Sequence, residues 1–225
     1  MLGDLTFVEG EASRQDVAER LSLWLDAFDA IKLHAAQQPI KTTAAEERPP
    51  DARPAMTRAV EAEFHRVRTA LVKAMTANDG SRAHEADAGY APYRQRYLDR
   101  QRHMELTIGP LRAQVRQALS RASPQLGQLA TLDAVLDQTL GGREQKLLST
   151  VPVLLERRFE HLRKTHQLGL DPAQQDDPAL WAQAGGWLDD FGKEMQAVLL
   201  AELEVRLQPV EGLMEAFSNE LETYA

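Results

Sequence analysis

Cysteine is absent from these 225 residues, which excludes disulfides, thiolate metal sites and a cysteine nucleophile and suits a cytoplasmic chain. Isoleucine occurs only at Ile31, Ile40 and Ile108, while leucine and alanine supply most of the apolar fraction. That bias favours helices and starves strands of β-branched residues, so the expected class is all-α. No apolar run reaches the roughly 18 residues that span a bilayer. The opening residues Met1 to Gly10 carry Asp4 and Glu9 in place of a basic leader, so neither secretion nor membrane insertion is expected. The spacings HExxH, GxxxxGK, GxGxxG and GxSxG are missing. None of His34, His65, His84, His103, His161 and His166 has a glutamate three residues before it, as a ferritin-like carboxylate site requires. The expectation is a non-enzymatic chain with no catalytic set, no cofactor and no metal site.

What is present is charge, unevenly placed. The formal net charge is −8, which repels nucleic acid and anionic membranes at long range. Between Pro92 and Arg121, however, Arg94, Arg96, Arg100, Arg102, Arg112, Arg116 and Arg121 face only Asp99 and Glu105. From Trp187 to Ala225 nine acids stand against Lys193 and Arg206. Aromatic and basic residues interleave from Tyr90 to Met104, which makes Tyr93, Arg94, Arg96, Tyr97, Arg100, Arg112 and Arg116 the candidate partner-binding residues. Such a face can stack on bases and neutralise phosphates, or it can receive the acidic C-terminal helix of this chain or of another copy. His161 and His166, five apart, lie on different sides of a helix and read as solvated positions. Asp189 and Asp190 read as a first-turn pair favouring the helix dipole.

Helical periodicity divides the chain. Ser13 can cap a helix running to Ile31, whose face Val17, Leu21, Trp24, Phe28 and Ile31 asks for a partner surface. This gives an N-terminal amphipathic helix over 1–34 and then, with Pro39, Pro49, Pro50 and Pro54, a flexible linker over 35–55. A helical bundle domain follows over 56–225. Within it Val60, Phe64, Val67, Leu71 and Ala74 mark one stripe, and Pro92 suits a helix start. Gly109-Pro110 should kink or break the next helix, Ser123-Pro124 should break it, Gly141-Gly142 can terminate the one after, and Pro152 can open a fresh one. The longest stripe runs from Leu188 through Phe191, Met195, Leu199, Leu203, Leu207, Val210, Met214 and Phe217 to Leu221, with a kink expected at Pro209. If unbroken it is roughly 50 Å long.

Ser13-Arg-Gln-Asp, Glu19-Arg-Leu-Ser-Leu-Trp-Leu, Tyr93-Arg-Gln-Arg-Tyr-Leu and Ile108-Gly-Pro-Leu-Arg resemble an uncharacterised family of proteobacterial proteins of unknown function, over most of the chain. The resemblance implies a helical protein encoded near proton-channel and peptidoglycan-binding membrane components, hence an accessory role at a membrane-associated complex. It carries over no functional residue. The resulting expectation is a cytoplasmic helical interaction or scaffold protein that binds protein or self-associates through its C-terminal helix. Nucleic-acid binding through 92–121 is the alternative.

Overall fold

The computed structural model describes residues 27–37, 52–77, 89–170 and 176–223. Among them the chain forms seven helices and no strand: α1 (Ala27–Gln37), α2 (Ala52–Thr76), α3 (Ala91–Ala122), α4 (Pro124–Leu148), α5 (Val151–Gly169), the single turn α6 (Pro178–Trp181) and α7 (Trp187–Thr223). The all-α expectation, with a long C-terminal helix in a multi-helix assembly, is met.

The helix boundaries follow local chemistry. Gly89 holds φ 73° in the turn before α3, a conformation that glycine adopts without a Cβ penalty, and Pro92 sits in the first turn where its missing donor costs nothing. Ser123 is extended between α3 and α4, and its hydroxyl accepts a hydrogen bond from the Leu126 amide at 3.2 Å. Pro152 opens α5 as expected. A glycine stop in α4 and a break at Pro110 are absent, and α7 is continuous through Pro209 as its apolar face implies. Gly141 and Gly142 lie inside α4, because a glycine stop needs a left-handed backbone and neither has one. Pro110 and Pro209 lie inside α3 and α7, which run on through them. Each proline leaves unpaired only the carbonyl four residues earlier. Those residues, Leu106 and Val205, are exposed, so water can satisfy the freed carbonyl.

The 1–34 and 35–55 boundaries also shift. Residues 35–37 continue α1 and residues 52–55 begin α2. The remaining linker, 38–51, and the expected helix start with Ser13, Val17, Leu21 and Trp24 lie outside the described residues. Phe28 and Ile31, on the face expected to ask for a partner surface, are 73% and 65% exposed, whereas Ala36 is buried. α1 rests on α4, where the Gln128 amide donates to the Gln37 carbonyl.

α7 is the organising element. Its Leu188, Phe191, Leu199, Leu203, Leu207, Val210 and Phe217 are buried in one continuous core with α2, α3, α4 and α5. α2 runs antiparallel to it, since Glu61 accepts from Ser218 and Arg68 approaches Glu211. α3 runs parallel, with Tyr93 beside Phe191 and Tyr97 beside Glu202. α4 lies antiparallel to α3, and α5 continues in the same direction along the N-terminal half of α7, where Arg158 pairs with Glu194. The start of α5 is pinned to the residue that precedes α3, where the Tyr90 hydroxyl donates to the Pro152 carbonyl at 2.7 Å.

Candidate functional site

The interleaved segment of α3 divides by helical periodicity. Tyr93 and Tyr97 are four residues apart on the inward face and almost fully buried. The Tyr93 ring packs edge-on to Phe191 at 5.4 Å and near Phe159 at 5.5 Å. The Tyr97 hydroxyl donates to Glu202 at 2.5 Å, a carboxylate that also receives Gln101 at 2.9 Å and Arg206 at 2.9 Å. Burial, followed by this bond to a carboxylate, pushes the Tyr97 hydroxyl far above its ordinary range. Burial and the nearby Glu156 raise Tyr90 to about 12. These rings belong to the core and offer no exposed stacking face.

Arg112 and Arg116 turn sideways to α4. Both reach Asp133, Arg112 at 2.6 Å and Arg116 at 2.6 Å, and both reach Asp137 at 2.9 Å. Burial raises the Asp133 carboxyl, but hydrogen bonds from the two guanidinium groups outweigh it and hold the group below the usual carboxylate range. The acids that meet these arginines thus come from α4 and not from the acidic C-terminal helix. Arg94 is exposed, Arg96 stands 5.3 Å over the Tyr93 ring, and Arg100 is half-buried. Four of the seven candidate residues are therefore used inside the bundle, and the seven do not form one surface.

The histidines separate as well. His161 is exposed, but His166 is half-buried, with Nε2 3.0 Å from Asp176 and its ring beside Trp181 and Trp187. The same Asp176 oxygen accepts from the Trp181 indole at 2.6 Å. This clasp ties α6 to the end of α5. No group of three potential metal ligands occurs among the described residues, nor is any described helix long and apolar enough to cross a membrane.

What faces outward is a different set. α5 buries only Pro152, Leu155 and Phe159. Its opposite side presents Leu154, Arg157, His161, Lys164 and Leu168, all exposed, at alternating steps of three and four that keep them in one line. No ion pair to Arg157 or Lys164 is formed among the described residues, and Leu168 is 78% exposed. α7 carries a second outward line of the same period, Ala197, Ala201, Glu204, Gln208, Glu211 and Glu215, again all exposed. Neither line stands out along the sequence, where Leu154 and the buried Leu155 are adjacent. The signal that separates them is the position of Phe159, which fixes the inward face of α5 and turns Leu154 away.

Comparison with known proteins adds one match. The model of a family described as protein of unknown function (DUF3348) matches residues 1–219. That bears out the resemblance to an uncharacterised family, while the proteobacterial origin and the neighbouring membrane components rest on the resemblance alone. No curated protein and no solved structure matches the chain.

Proposed function

We propose that this chain, which belongs to the DUF3348 family of unknown function, is a non-enzymatic helical interaction scaffold whose binding surface is the outer face of α5. One observation carries the reading. The tyrosines and two of the arginines of α3 are used internally, while Leu154, Arg157, His161, Lys164 and Leu168 stand in one exposed line. Exposed leucines at both ends of a cationic stretch give a helix-sized surface both apolar area and charge selectivity. The aromatic cluster beneath, from Phe159 to Phe191 and Trp187, seats the opposite face of the helix on the bundle. A role at a membrane-associated complex agrees with this surface and extends the reading to the kind of assembly it serves.

A photo-crosslinking residue at His161, compared with the same residue at exposed Gln114 on α3, tests it in the cells that make the protein. Discrete protein adducts from position 161 and none from position 114 are expected. Equal or absent adducts from both would overturn the reading.

A further inference from the structure

We infer that the partner of the α5 face is a second copy of this chain, which presents the outer acidic line of its α7. The inference rests on the scaffold reading above and names the occupant of that surface. Two observations point to it. The lines have opposite charge: Arg157 and Lys164 on one, Glu204, Glu211 and Glu215 on the other. They also share a repeat. Arg157 and Lys164 are seven residues apart, as are Glu204 and Glu211, so each pair spans about 10 Å along its helix. A shallow helix crossing brings both cations onto both acids at once, with His161 meeting Gln208 between them.

Apolar contact extends this register. Ala201 precedes Glu204 by three residues, the step that separates Leu154 from Arg157, while Leu168 follows Lys164 by four. One leucine of α5 therefore falls on the small Ala201 and Ala197 side, where the α7 surface is flat enough to let two helices approach closely. Glu204 and Glu215 form no ion pair among the described residues, and Glu211 has only Arg68 at 3.9 Å. These acids thus retain their charge for a partner. Within one molecule the two lines cannot meet, because the inner faces of α5 and α7 already pack on each other through Phe159, Phe191 and Trp187.

The test is the self-association of the full chain, measured by sedimentation and light scattering across concentration and salt. The unmodified chain should associate, about tenfold or more weakly when salt is raised enough to screen surface charge. The double reversal R157E with K164E should abolish association, as should E204K with E211K, each with an unchanged circular dichroism melt. Mixing the two reversed variants should restore a complex, because the reversed α5 of one then matches the reversed α7 of the other. The milder pair R157Q with K164Q should weaken association without reversing it. An unmodified chain that stays monomeric at every attainable concentration overturns the second copy as occupant. If position 161 still crosslinks to a different protein, the scaffold reading stands; if it crosslinks to nothing, both fall. Association that survives both reversals, or a mixture that restores nothing, overturns the assigned faces.

Discussion

Replacing Phe159 by alanine should remove the anchor that seats α5 on the bundle. The ring is fully buried and lies 5.1 Å from Phe191, 5.2 Å from Trp187, 5.5 Å from Tyr93 and 5.8 Å from Tyr90, measured between centroids. Truncation of a buried phenylalanine costs about 3–5 kcal/mol. Each aromatic pair adds about 0.5–1.5 kcal/mol beyond its buried area, which places this site at about 4–5 kcal/mol. For a chain of this length each kcal/mol lowers Tm by about 2–4 °C, so a fall of about 8–20 °C is expected by circular dichroism. Because α5 buries only two other residues, Pro152 and Leu155, its amides should also exchange hydrogen well before those of α7. Phe159→Leu keeps most of the volume and should cost about 1–2 kcal/mol. A loss below about 1 kcal/mol for Phe159→Ala, or unchanged exchange in α5, would refute the argument that this one ring seats the helix.

Three further outcomes follow from other sites. Asp133 has a depressed pKa in the fold, so the stability it lends is present above its unfolded value near 4 and is lost as pH falls through the folded value; Asp133→Asn should flatten that acid limb in urea titrations. Tyr90, raised to about 12, and Tyr97, raised further, stay protonated in the fold. The stability they lend is complete below about pH 10 and is lost as pH rises through the folded values, so absorbance at the phenolate band should lag and then rise together with unfolding. A Cβ on Gly186 would lie 2.3 Å from the Trp181 carbonyl oxygen, so Gly186→Ala must displace backbone and should cost about 1–3 kcal/mol by thermal melt. An alanine variant as stable as the parent would show that the turn before α7 yields freely.

Much of the fold was legible along the chain because a helix needs only one apolar face at a fixed period. The α7 stripe from Leu188 to Phe217 and the α2 residues Val60, Phe64, Val67 and Leu71 are buried as their spacing implies. Tyr93 and Tyr97 were misplaced because an aromatic beside arginine looks like a binding face when read locally. Their spacing continues through Met104, Ile108, Leu111 and Val115, all buried, and that longer register assigns them to the core. The α5 line was harder to read. Leu154 and Leu155 are adjacent and allow two inward faces, and only the register of Phe159, four residues after Leu155, selects the buried one.

The amino-acid sequence by itself determined helical class, the length of α7, the break at Ser123-Pro124 and the opposite charge of two regions, since propensity, capping and composition act over a few residues. Only the tertiary structure decided which charges are spent and which face out. Arg112 and Arg116 find Asp133 about twenty residues away, and Tyr97 finds Glu202 more than a hundred residues away. Such pairings are selected by how whole helices pack, because a buried charge or hydroxyl must meet a partner wherever the core brings one.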